Sequence, residues 1–259
     1  MIDRIKEAFE NGKAFIPFIT SGDPSLETTE QLVYAMDDAG ADIIELGVPF
    51  SDPTAEGPVI QAANLRALSA GTTTDKIFSM IAKIRQKTQI PLILMIYANV
   101  VYSYDTELFL KKAASVGVDG LILADVPYEE KEEFSDVCDE YGLCLISMVA
   151  PTSKERIKMI AKDAKGFVYC VSSLGVTGTR KEIKTDVSSM VKLVKEANDI
   201  PCVICFGISM PETAREMALQ SDGAIVGSAI VKICEKYGAE SVPYVSEYVK
   251  QMKEAVSEL

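Results

Sequence analysis

PLILMIYANVVYSYDTELFLKKAASVGVDGLILADV, residues 91–126, holds two runs of nearly unbroken apolar residues, PLILMIY (91–97) and GLILADV (120–126). Between them DTELFLKKAASVG (105–117) repeats apolar residues at helical spacing and ends on a glycine. A strand with one face in water alternates apolar and polar side chains. A run that does not alternate reads as a parallel strand covered on both faces. The stretch is therefore one β-α-β unit.

Six further runs have the same character: AFIPFIT (14–20), ADIIELG (41–47), CLISMVA (144–150), GFVYCVS (166–172), PCVICFG (201–207) and GAIVGSA (223–229). Helical patterns lie between them. SLETTEQLVYAMDDAG (25–40) starts at Ser25 as N-cap, carries Glu27 and Thr28 in its first turn, and stops at Gly40. TTDKIFSMIAKIRQKT, EEKEEFSDVCDEYG, SKERIKMIAKDA, SSMVKLVKEAN and MPETAREMALQS share the periodicity, and YVSEYVKQMKEAVSEL closes the chain. MIDRIKEAFENGK at the start reads as an additional amphipathic helix, because it lacks the apolar stretch of a signal peptide. With no linker or composition shift, the eight units predict a single (β/α)8 TIM barrel over residues 1–259, with an extra N-terminal helix. A doubly wound open sheet is the alternative.

Composition narrows the function. Of 259 residues 48% are hydrophobic, enough for a large core, and the formal net charge of −12 argues against nucleic acid, which needs a basic footprint. The apolar runs fall well short of the ~18 residues that cross a bilayer, so a cytoplasmic protein without a membrane span is expected. The six cysteines are scattered, mostly inside apolar segments, as suits a reducing compartment. Cys202 and Cys205 form a C-x-x-C within a strand, where residues three apart point to opposite faces, so a shared metal or a disulfide is not expected and both read as structural. There is no histidine. That removes Ser-His and Cys-His nucleophile systems and most zinc sites, and no metal centre is predicted. Proton transfer falls to Glu, Asp, Tyr, Lys or Cys.

A barrel keeps its catalytic groups at the C-terminal strand ends and in the loops that follow. Alternation in ADIIELG puts Ile43, Glu45 and Gly47 on one face and Ile44 and Leu46 on the other. With Ile44 and Leu46 against the helices, Glu45 enters the upper barrel, where desolvation raises its pKa and suits it to give and take a proton. The plainer reading is a Glu paired with a cation, but none of the eight runs contains Lys or Arg. The following loop, VPFSDPTAEGP, adds Asp52, which could as well cap a turn with Ser51 and Pro53, and Glu56, flanked by small or rigid residues. Runs seven and eight lead into FGIS and VGSAIVK, the usual phosphate loops of a barrel. Gly207 and Gly227 permit close backbone approach, and Ser228 opens a helix whose free N–H groups face an anion. SSLGVTGTRKE (172–182) reads as a loop able to close over a ligand. With no strand lysine for a Schiff base, carbon–carbon chemistry here requires carboxylate acid–base catalysis on a substrate that supplies its own electron sink.

FIPFITSGDP, ELGVPFSDP with A-x-GPVIQ, LADVP, SSLGVTG, FGIS and VGSAIVK, in this order and on these strand ends, closely resemble the tryptophan synthase alpha chain family along essentially the whole chain. The resemblance implies retro-aldol cleavage of indole-3-glycerol phosphate to indole and glyceraldehyde 3-phosphate, with the C3-protonated indole as electron sink. It makes Glu45 the acid/base carboxyl, Glu56 the carboxylate facing the indole N–H, and Tyr169 a tyrosine beside Glu45. Phe18 and Tyr97 match indole-pocket positions, Gly178, Gly207, Gly227 and Ser228 the phosphate cradle, and Thr177 the closing loop. Asp52 and Pro53 match a loop facing the partner. That partner is a beta chain in an α2β2 heterotetramer; it carries pyridoxal phosphate, while this chain carries no cofactor. One departure stands out: the familiar pattern has Asp and a Leu two residues earlier where this chain has Glu56 and Thr54. The extra methylene requires the loop to shift, and ~1 Å of misplacement can cost about a hundredfold in rate. The small flanking residues leave room for that shift, so activity is expected. Three other readings stay open: a silent barrel that binds ligand and activates the beta chain, a lyase acting alone, and a different phosphate-binding barrel.

Overall fold

The computed structural model describes residues 4–171, 187–205 and 207–258. Its parallel strands are β1 (Ala14–Thr20), β2 (Ile44–Gly47), β3 (Leu92–Ile96), β4 (Gly120–Leu123), β5 (Cys144–Leu145), β6 (Ser147–Val149), β7 (Val168–Val171), β8 (Cys202–Cys205) and β9 (Gly223–Val226). Hydrogen-bonded neighbours run β5-β4-β3-β2-β1-β9-β8-β7-β6. The two terminal strands of that order are halves of the single run 144–150. Its first half pairs with β4 (Gly120↔Cys144) and its second with β7 (Ser147↔Val168), so the sheet closes through Ile146. The fold is a (β/α)8 barrel, and the open-sheet alternative is set aside.

Every apolar run became a strand because its two faces are buried in different layers. Outward side chains such as Ile44, Leu46, Leu92, Leu94, Cys202 and Ile204 join the helices in the main core. Inward side chains such as Ile16, Ile43, Ile93, Ile122, Val203 and Ile225 fill the barrel. The helix Leu26–Asp38 begins where expected, with the Ser25 side chain accepting from Thr28 N, and Gly40 follows it at φ +93°. No described helix is long and apolar enough to cross a membrane.

Two features depart from expectation. The N-terminal helix is a single turn, Arg4–Glu7, tucked under the barrel, with Ile5 and Phe9 in the interior cluster and Arg4 Nη1 2.7 Å from Asp119 Oδ1. Helices at Pro58–Ser69 and Ala98–Tyr104 were not anticipated from periodicity. The first buries Ile60, Ala63, Asn64 and Ala67, so small and polar side chains blur its apolar stripe.

Three aspartates organise the N-terminal end of the barrel. Phe15 N donates to Asp42 Oδ2 (2.7 Å), Leu92 N to Asp119 Oδ2 (2.8 Å) and Cys202 N to Asp222 Oδ2 (2.8 Å). Each aspartate ties its own strand to the start of a neighbour, and each is also paired with a cation: Lys253, Arg4 with Arg85, and Lys195 respectively.

Candidate active site

The opposite end of the barrel holds a cavity of about 490 Å³, open mouth included. Glu45 enters it from β2, in register with Phe18 on β1 and Ile93 on β3. The alternation deduced from ADIIELG is the one observed: Ile43 lies in the interior cluster, Ile44 and Leu46 in the outer one. Glu45 is 1% exposed, and neither carboxyl oxygen has a hydrogen-bond partner among the described residues. Burial, reinforced by the Glu56 charge, raises its pKa to about 8. The carboxyl is therefore predominantly a protonated acid at neutral pH.

Glu56 reaches the same cavity from the loop after β2 and is 8% exposed. Burial raises its pKa to about 7 against the opposing pull of Asn64, whose Nδ2 donates to Oε2 at 2.6 Å. Gln61 Nε2 donates to the Glu56 carbonyl at 2.7 Å, fixing the loop to the helix that follows. Two neighbouring carboxyls thus both have pKa values raised by burial into the range where proton exchange occurs near neutral pH.

Tyr169 on β7 is 4% exposed, and its hydroxyl donates to Cys205 Sγ on β8 at 2.8 Å. Burial pushes its pKa well up, with the Cys205 and Glu45 charges adding to the rise. Phe18, Ile60, Met95, Ile208 and Ile225 give the cavity an apolar lining. Gly47, two residues beyond Glu45, makes room for Phe18: a Cβ there would lie 2.6 Å from the ring. Gly207, Gly227 and Ser228 form the rim across from Glu45's strand. Gly207 has φ +77°, and Gly227 is the N-cap of the helix Ser228–Tyr237, whose first N–H groups lack intrahelical partners.

Seven of the residues expected from sequence therefore line one cavity: Phe18, Glu45, Glu56, Tyr169, Gly207, Gly227 and Ser228. Tyr97 does not. It is buried behind the loop, accepts a hydrogen bond from Ala55 N at 3.1 Å and packs on Phe50 with ring centroids 5.3 Å apart, so it braces the segment that carries Glu56. Asp52 accepts from Ser51 Oγ on the exposed outer side of that loop, with Pro53 half-buried beside it. Thr177 and Gly178 lie outside the described residues.

Sequence reasoning missed Asn64 and Cys205. Asn64 sits in the helix whose pattern was blurred. Cys202 and Cys205 point to opposite faces and neither is in a disulfide; the inward one, Cys205, lines the cavity.

The model of the family described as "Tryptophan synthase alpha chain" matches residues 5–257. The chain belongs to the tryptophan synthase alpha chain family. A family relative from Thermoanaerobacter sp. (strain X514) is 47% identical, covering 98% of this chain and 100% of that one. One from Lacticaseibacillus casei is 42% identical over 99% and 96% of the two chains. Among solved structures, tryptophan synthase subunit alpha from Legionella pneumophila superposes with a TM-score of 0.91 at 35% identity, covering each chain fully. The tryptophan synthase complex from Pyrococcus furiosus gives 0.87 at 32%, covering 94% of this chain and 99% of its counterpart.

Proposed function

We propose that this cavity cleaves indole-3-glycerol phosphate into indole and glyceraldehyde 3-phosphate, as the lyase subunit of a tryptophan synthase. The observation that carries the reading is the pair Glu45 and Glu56, buried in one apolar cavity with no cation among its described lining residues. A flat aromatic ring fits the Phe18, Met95 and Ile225 lining, and the rim at Gly207, Gly227 and Ser228 takes the phosphate through backbone N–H groups and the helix dipole.

The chemistry divides between the carboxyls. Glu45, as the acid, gives its proton to indole C3, while Glu56 holds or removes the ring N–H proton. The ring becomes an imine that can accept electrons. Glu45, now a carboxylate, takes the proton from the hydroxyl on the side-chain carbon next to C3. The C–C bond breaks as that carbon becomes the aldehyde, its electron pair enters the imine and restores the aromatic ring, and the nitrogen keeps or regains its proton. The resident acid ends protonated, ready for another turnover. Tyr169 lines the cavity with its hydroxyl on Cys205 Sγ, and Tyr97 holds the Glu56 loop from behind.

In this proposal the chain works with a beta subunit that carries pyridoxal phosphate and receives the indole. Asp52 and Pro53 lie on the outward loop suited to such a contact. Six cysteines with no disulfide among them fit a cytoplasmic protein. The test is indole release from indole-3-glycerol phosphate by the chain alone and with its beta subunit. Slow release that rises sharply with the beta chain is expected. No indole under either condition, with the beta reaction still stimulated, would leave a silent regulatory barrel; brisk release by the chain alone would indicate a free-standing lyase.

A further inference from the structure

Tyr169 has one phenolic proton to donate, and two acceptors compete for it across the cavity. One is Cys205 Sγ, a weak acceptor; the other is the Glu45 carboxyl, which when ionised would be the stronger by a charge-assisted bond. The proton goes to Cys205 at 2.8 Å, and both Glu45 oxygens are buried without a hydrogen-bond partner among the described residues. The two strands that bring the pair together, β7 and β8, are neighbours, and Tyr169 and Cys205 lie two positions apart in their register (Tyr169↔Val203). Both side chains face inward. The contact is therefore fixed by sheet geometry rather than by a mobile loop.

We propose that Cys205 is a positioning residue for the cleavage: its sulfur holds the Tyr169 hydroxyl off Glu45, so that the carboxyl keeps its proton for the substrate. The proposal rests on Glu45 acting as the acid. Among the described residues the titratable groups lining the cavity are Glu45, Glu56, Tyr169 and Cys205; Phe18, Ile60, Met95, Ile208 and Ile225 line it with apolar side chains, and Ser228 adds a neutral hydroxyl. The nearest negative charge, Glu56, raises Glu45's pKa and so works in the same direction as the proposed role. A phenol turned onto Glu45 would stabilise its ionised form and lower that pKa.

The test is the pH profile of kcat/KM for indole release, measured on the chain assembled with its beta subunit, since this ratio reports groups of the free enzyme. Activity that needs protonated Glu45 falls as pH rises through its pKa. Cys205→Ala and Cys205→Val remove the acceptor, the latter while filling the sulfur's volume, and both are expected to move that alkaline limb down by about one pH unit, a tenfold change in proton affinity. Cys205→Ser, which retains an acceptor, is expected to titrate with the wild type. In a Tyr169→Phe background the Cys205→Ala shift is expected to vanish. An unmoved limb in both acceptor-less variants, or an equal shift without the tyrosine hydroxyl, overturns the proposal. Glu45→Gln is measured alongside. If it is inactive while the limb stays unmoved, only the role of Cys205 fails; if it is active, the acid assignment beneath it fails as well.

Discussion

At the N-terminal end of the barrel Asp42, Asp119 and Asp222 each accept a backbone N–H from a neighbouring strand and each face Lys or Arg within 2.6–2.8 Å. At the C-terminal end Glu45 has no hydrogen-bond partner among the described residues, and Glu56 has the neutral Asn64. The two sets share a chemistry and differ in what surrounds them. Carboxylates bonded to amides and cations stitch strands together, and at Asp42 the bonds from Lys253 and Phe15 N oppose the rise in pKa that burial causes. Carboxyls left in apolar surroundings destabilise the fold when charged, and for that reason they exchange protons near neutral pH. Asp23, at the same end as Glu45 but outside the cavity, marks the boundary: Arg66 grips both its oxygens at 2.8 Å, and it belongs with the structural set.

The comparison breaks first at Glu45. Glu45→Gln keeps the size and burial but cannot carry the proton, so indole release is expected to fall at least about a thousandfold, the range of general acid–base catalysis, with substrate binding retained. Single-turnover assays and equilibrium binding check both halves. Full activity would place Glu45 among the structural carboxylates.

Arg85→Met is the mirror experiment. Arg85 pairs with Asp119 at 2.6 Å and also donates to the carbonyls of Gly117 and Ile90. Stripping one partner from a buried pair costs ~3 kcal/mol, read by denaturant unfolding, while kcat per folded molecule is expected to be unchanged.

Asn64→Leu sharpens the contrast between the two cavity carboxyls. Its amide favours ionised Glu56, so its loss pushes Glu56 further above about 7. If Glu56 acts ionised, activity at neutral pH drops about tenfold, the loss of one hydrogen bond to a charged group, and the acid limb of the kcat/KM profile moves up toward the alkaline limb set by Glu45. A pH-independent loss would instead assign Asn64 to packing. The smallest effect is expected for Tyr97→Phe. The loop loses one neutral hydrogen bond worth ~1 kcal/mol, so KM rises a few-fold with kcat nearly kept.

The barrel was legible because its strands are buried on both faces, which leaves unbroken apolar runs that no amphipathic helix produces. Glu45 was legible for a related reason: in ADIIELG one charge interrupts such a run, and the two-residue period states which way it points. Other features depend on contacts between distant segments. Asn64 becomes meaningful only once the helix Pro58–Ser69 folds back over Glu56, and its small inner face hid that helix. Cys205 reads as another apolar strand residue until β7 sets Tyr169 beside it. Tyr97 sits at the end of its run where a pocket residue belongs, yet the loop carrying Ala55 lies over its hydroxyl and turns it into a brace.

The measurement that tests the central claim most directly is the titration of Glu45 itself, by the 13C shift of its labelled side-chain carboxyl, assigned with Glu45→Gln. A midpoint near 8 is expected, with the carboxyl still protonated at neutral pH. A midpoint in the ordinary carboxylate range, ~4.3, would contradict the account, since Glu45 would then carry its charge at neutral pH and could not serve as the resident acid.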